Sequence, residues 1–183
     1  MMEVWGLPWP VAGLLALAPL GLAAQTPDPG YAGSYFKRQL YVVTDMERAL
    51  TLWRDVLGFQ PGEITTSGPQ SYSREVFNIP AEARMRFVTL SAGALQVRTL
   101  ALLEVTGVPL APKTGIRTTG AVVDARGRLA EIVERAKAMG LTVMSRRELK
   151  SERGTGTEQA LLDWDGNVIV LYEFPENQPP PVR

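Results

Sequence analysis

The chain has 183 residues, 45 % of them hydrophobic, enough for one compact unit or two small modules with a core. Its 19 basic and 19 acidic side chains cancel, so no net field draws it to nucleic acid or an anionic membrane surface. Cysteine and histidine are both absent. That excludes disulfides, thiol catalysis and thiolate metal sites, and removes the commonest metal ligand and near-neutral general base.

From Val4 to Thr26 no residue is charged, and Val11 to Leu22 is mostly Leu and Ala. A signal peptide is expected over residues 1–24, with Gly21, Ala23 and Ala24 as the small residues before cleavage. The alternative is a membrane anchor, although Pro8, Pro10 and Pro19 would interrupt a spanning helix of about 20 residues. The expected localisation is therefore export, to the periplasm or the medium, with membrane attachment only through an uncleaved leader. Residues 25–36, rich in Pro, Gly, Ser and Tyr, read as a linker.

The first strand is expected at Leu40 to Val43. After the break at Thr44-Asp45, the residues Met46, Ala49, Leu50, Trp53, Val56 and Leu57 form one helical stripe. Thr44 with Glu47 reads as a capping box, and Gly58 suits the left-handed end position with Phe59 folding back on the helix. Pro61 to Gln70 reads as a loop, Ser71 to Phe77 as a short helix, and Arg84 to Leu90 as a strand. A turn at Ser91-Ala92-Gly93 leads to a longer strand over Leu95 to Val105, then a connector over Gly107 to Gly115.

The pattern then restarts. Gly120 to Val123 is a strand, Asp124 a turn, and Leu129, Ile132, Val133, Ala136 and Met139 a second apolar stripe. Gly140-Leu141 repeats the Gly58-Phe59 ending. A short strand at Leu141 to Met144 and a loop at Lys150 to Thr157 follow. Strands at Gln159 to Leu162 and Val168 to Phe174 are joined by the hairpin Asp163-Trp164-Asp165-Gly166-Asn167, and residues 176–183 are a Pro-rich tail. The order strand–helix–strand–strand–strand thus occurs twice. The interval from Asp124 to Gly140 is three residues longer than that from Asp45 to Gly58, which lengthens the second helix or its entry. The fold class is α+β. Two tandem βαβββ modules, residues 37–105 and 115–175, pair into a concave, cleft-forming mixed sheet.

Two stretches carry a family resemblance. Val43-Thr44-Asp45-Met46-Glu47-Arg48-Ala49-Leu50 with Trp53 to Phe59, and Asp165-Gly166-Asn167-Val168-Ile169-Val170-Leu171-Tyr172-Glu173, together resemble the vicinal oxygen chelate superfamily over residues 37 to 175. That superfamily includes glyoxalase I, bleomycin and fosfomycin resistance proteins, methylmalonyl-CoA epimerase and extradiol dioxygenases. The resemblance implies a glyoxalase-like fold, which by itself leaves the chemistry open. It also implies where metal ligands would stand: Arg38, seven residues before Asp45; Ala101, three before Glu104; Thr118; and Val170. Arg, Ala, Thr and Val do not make a divalent metal site. No metal, other cofactor or catalytic residue is therefore expected.

With the ligand positions that the resemblance implies turned inward, strand alternation carries Arg38, Thr99, Ala101, Thr118, Val170 and Tyr172 toward the cleft, making them the candidate ligand-binding residues. Arg38 suits a carboxylate or phosphate, against the plainer reading of a solvated residue before a strand. Tyr172 offers a hydrogen bond, against the plainer reading of an aromatic core residue. Glu104 and Glu173 fall on the opposite face as structural or surface groups. Arg84, Arg86 and Arg98 read as a solvated sheet edge rather than an anion site, and hairpin chemistry accounts for Asp163 and Asp165. The expected function is binding of a small apolar or weakly anionic molecule without metal, as in bleomycin-resistance-type members. The alternatives are a metal-independent lyase or isomerase, and a protein interaction module with a filled cleft. The expected partners are the small molecule and, in a homodimer, a second copy of the chain.

Overall fold

The structure, a computed structural model, describes residues 36–111, 117, 119–151 and 154–175. The expected leader, nearly all of the linker, the tail and Thr118 lie outside the described residues. Among the described residues no helix is long and apolar enough to cross a membrane.

The first module runs β1 (Gln39–Val43), α1 (Met46–Leu50) continuing as a π-helix (Thr51–Val56), β2 (Gln60–Pro61), β3 (Thr65–Thr66), α2 (Ser73–Val76), β4 (Arg84–Ser91) and β5 (Leu100–Thr106). The second runs β6 (Gly120–Asp124), α3 (Leu129–Ala138), β7 (Thr142–Val143), β8 (Arg147–Ser151), β9 (Gly154–Leu162) and β10 (Val168–Glu173). Each module carries one five-stranded mixed sheet. The orders β1-β5-β4-β2 and β6-β10-β9-β7 match, with β3 also on β4 and β8 also on β9. In both, the first strand runs parallel to the last, as β1 to β5 and β6 to β10. This is the twice-repeated βαβββ order, with the second strand of each module broken into two short pieces.

Four local expectations are corrected. The second half of the first helix is π-helical, with Leu57 N–H donating to Leu52 O at 2.9 Å. The helix is capped by Asp45, whose carboxylate accepts from Arg48 N–H at 2.9 Å, and not by Thr44, whose hydroxyl is taken by Asp165. Strand β5 starts at Leu100 rather than Leu95. The chain turns back between Gly93 and Gln96, and Arg98 sits at φ 57°, a left-handed conformation that no strand continues. Strand β9 starts at Gly154, within the expected loop, because β8 pairs with it from Glu158 to Gly154.

One face of both sheets and the two long helices share a single core. Tyr41, Val43, Leu100 and Leu102 meet Met46, Leu50 and Trp53, and the same cluster continues through Leu129, Ile132, Ile169 and Leu171. Trp53 is buried at its centre, edge-on to Phe59 at 5.1 Å and tilted against Tyr41 at 5.9 Å. On the other face of the first sheet, Met85, Leu103 and Val105 with Leu40, Val42 and Phe87 are covered by Ile79, Val108 and Leu110.

Polar contacts lock the modules together. Tyr41 Oη donates to Val168 O at 2.6 Å, and Asp165 accepts from Thr44 Oγ1 at 2.6 Å and Thr44 N–H at 3.1 Å. Asp163 shapes the hairpin that delivers Asp165, accepting from Asn167 N–H and Nδ2 at 2.7 Å each and from Asp165 N–H at 2.9 Å. Burial holds the Asp163 carboxyl above the usual carboxylate range despite these bonds. Glu104 and Glu173 play matching parts, each accepting from the first N–H of its own module's helix: Met46 at 2.7 Å and Leu129 at 3.1 Å.

Candidate ligand-binding site

The two modules depart from symmetry at the entry to α3. Helix α1 follows its strand almost at once, whereas α3 is reached through Ala125-Arg126-Gly127-Arg128. The three-residue excess in the sequence therefore lies in the entry and not in the helix. Arg126 and Gly127 take φ 50° and 76°, so the chain makes a left-handed loop there. This loop places two guanidinium groups at the module junction. Arg128 bonds back to Val56 O at 3.0 Å, across the junction to the C-terminal end of the π-helix, and pairs with Glu131 at 2.9 Å. Arg126 is exposed, and its side chain has no ion-pair partner among the described residues.

Around these arginines lies a cavity of about 320 Å³. The first module contributes Leu57, Gly58, Phe59, Ala92 and Gln96, and the second Val122 to Arg126, Arg128, Ile132 and Tyr172. Its lining mixes the apolar side chains of Leu57, Phe59, Val122 and Ile132 with the polar groups of Gln96, Asp124, Arg126, Arg128 and Tyr172, and the surface it exposes is more polar than apolar. Val122 is 68 % exposed, an apolar strand residue that the fold leaves open. Tyr172 stands opposite Asp124 in the β10–β6 register, its ring edge-on to Phe174 at 5.9 Å. Asp124 accepts from Arg126 N–H at 2.9 Å. The arrangement can pair an anion at Arg126, hydrogen-bond it at Tyr172 and Gln96, and offers Asp124 as a proton acceptor.

The sequence-predicted residues separate into two groups. Arg38 is half-buried immediately before β1, and the next residue, Gln39, donates to Thr99 O at 2.9 Å. Ala101 pairs with Leu40 and is fully buried. Val170 is half-buried between Val122 and Ala160 on the second sheet, on the same strand face as Tyr172. Thr118 lies outside the described residues. Of these residues Tyr172 lines the junction cavity, whereas Arg38, Thr99, Ala101 and Val170 do not. Arg126, Asp124 and Gln96 are site residues that the sequence reading passed over. The signal for Arg126 was the longer interval before Gly140.

The positions where the resemblance places metal ligands do not suit a divalent cation. Ala101 and Val170 have no donor atom, and Arg38 is itself cationic. Among the described residues no three acidic side chains converge on a point that would hold an ion. A second cavity of about 380 Å³ has Thr89, the β4 partner of Ala101, in its wall, while Ala101 itself does not line it. Arg98 closes onto it, donating from Nε to Thr89 Oγ1 at 3.1 Å. Arg98 itself is exposed, in the turn that precedes β5, as a solvated residue at the sheet edge.

Comparison with known proteins places these features in a family. A glyoxalase family protein from Bacillus cereus shares the fold at TM-score 0.57 and 13 % identity, over 78 % of this chain and 97 % of that one. A glyoxylase/bleomycin resistance protein/dioxygenase domain from Frankia aligns at TM-score 0.55 and 13 % identity, over 80 % and 96 %. The fosfomycin resistance protein FosX from Listeria monocytogenes aligns at TM-score 0.50 and 13 % identity, over 79 % and 97 %. Comparison with curated protein sequences gave no match. The sequence profile of one superfamily matches residues 35–171, which span both modules. The chain belongs to the Glyoxalase/Bleomycin resistance protein/Dioxygenase superfamily.

Proposed function

We propose that the protein binds a small, weakly anionic molecule in the cavity between its modules, without a metal ion. One observation carries this reading. The exposed guanidinium of Arg126 stands with Tyr172 and the open face of Val122 in a single cavity of about 320 Å³. In this reading Arg126 pairs with the anionic group, Tyr172 and Gln96 orient it, and Val122 and Leu57 take the apolar part. The lack of donor atoms at Ala101 and Val170 supports a role that needs no divalent ion.

Thermal-shift screening against a panel of metabolites and antibiotics tests the proposal. A carboxylate-bearing compound is expected to stabilise the wild type, and Arg126→Gln to weaken its binding about tenfold. A panel without any anionic binder, or a binder indifferent to both Arg126→Gln and Tyr172→Phe, contradicts it.

The filled face of the first module favours a second reading, an interaction module. Ile79, Val108 and Leu110 already cover Leu40, Val42 and Leu103 there. Under that reading the screen stays silent and the partner is another protein. Export belongs to the proposal too, and the uncharged run from Val4 to Thr26 supports it. N-terminal sequencing of protein from the cell envelope is expected to start after Ala24; an intact Met1 there assigns an anchor.

A further inference from the structure

The first module holds a second cationic centre, separate from the junction cavity. Residues Arg84 and Arg86 are two apart on β4, so their side chains share one face of the sheet. Across the ladder Arg84 pairs with Thr106, and Arg86 with Glu104 on one side and Thr66 on the other. Arg74 reaches the same place from α2. Its Nη1 and Nη2 donate to Pro80 O at 2.6 Å and Ala83 O at 2.8 Å, which fixes the guanidinium beside the start of β4. These groups line a cavity of about 390 Å³, with Ser67 beside Thr66 on its rim. It shares no residue with the junction cavity.

The charges in it do not balance. Three guanidinium groups line the cavity, against Glu104 in its wall and Glu47, which pairs with Arg86 at 3.4 Å. The Glu104 carboxylate is already committed to Arg86, from both Nε and Nη2, and to Met46 N–H. Arg74 and Arg84 have no ion-pair partner among the described residues, and Arg74 Nε is buried without a hydrogen-bond partner. Arg74 and Arg84, without a carboxylate partner among the described residues, and the hydroxyls of Thr66, Ser67 and Thr106 offer donors from several elements, which suits the tetrahedral oxygens of a phosphate better than a planar carboxylate. The geometry points to a binding site for a phosphate group, as the free ion or as a phosphomonoester, between Arg74, Arg84 and Arg86.

Titration with inorganic phosphate, followed by calorimetry against sodium chloride of equal ionic strength, tests the site. Phosphate is expected to bind saturably, and Arg84→Gln to weaken it about tenfold. Arg84 is exposed, so this variant should melt like the wild type in the absence of phosphate. Ser67→Ala, which keeps all three cations, is expected to weaken binding about threefold. Arg126→Gln is expected to leave it unchanged, so failure here is distinguishable from failure at the junction cavity. An alkyl phosphate and phosphatidylcholine vesicles doped with phosphatidic acid then separate a soluble ester from a lipid headgroup as the source. A response matched by sodium chloride, or equal in the wild type and Arg84→Gln, overturns the assignment.

Discussion

Asp165 joins the modules through one side chain, accepting two bonds from Thr44 while Arg48, stacked over Trp164 at 5.2 Å, lies 4.0 Å away. Removing it leaves the half-buried Thr44 donors unpaired, so Asp165→Ala is expected to cost about 1 kcal/mol in urea unfolding. Thr44→Val made on top of Asp165→Ala should cost much less than in the wild type, because the two act as one unit. Additive effects would show that the contact is idle. Tyr41 and Glu104 each make the stability of the same fold depend on pH. Burial pushes the Tyr41 hydroxyl up to about 12 from 10.0. Its raised value means that stability is full below pH 10.0 and falls as pH rises toward 12. Arg86 beside Glu104 holds that carboxyl below its ordinary 4.5, so its contribution is present above pH 4.5 and lost on further acidification. Melting curves across pH should show both edges. Tyr41→Phe should flatten the alkaline one and Glu104→Gln the acid one.

Among the elements, β9 depends on a close approach that only glycine allows. A Cβ on Gly156 would lie 2.5 Å from Glu173 O, a backbone atom that cannot step aside without opening the β9–β10 ladder. Gly156→Ala is therefore expected to destabilise by about 2 kcal/mol, read as a lowered urea midpoint; an unchanged midpoint would mean the strands separate freely. This stretch also shows where sequence reading ends. Apolar periodicity revealed the stripes of α1 and α3, because burying one face imposes that spacing. Thr65–Thr66 and Gly154 to Thr157 are edge pairings with little apolar content, so their strand character comes from the partner alone. Leu95 and Val97 misled in the other direction. They look like strand residues, yet they sit on an exposed hairpin tip, Leu95 at 91 % exposure.

For the whole molecule, the paired-module architecture was legible because both halves repeat the same order and the same helix endings. Much of the candidate site was not. Tyr172 was readable from alternation along β10, but Arg126 enters through a left-handed loop whose direction no periodicity specifies. Arg38 and Ala101 followed from alignment with strand ends, and they mark where the family's metal ligands would stand without supplying donors. We propose that the junction cavity recognises its ligand through protein groups alone. Isothermal titration of chelator-treated protein with the compound selected by the screen tests it most directly. The same affinity is expected with and without chelator, and about tenfold weaker binding to Arg126→Gln. Binding that disappears with chelator and returns on adding a divalent ion would contradict it.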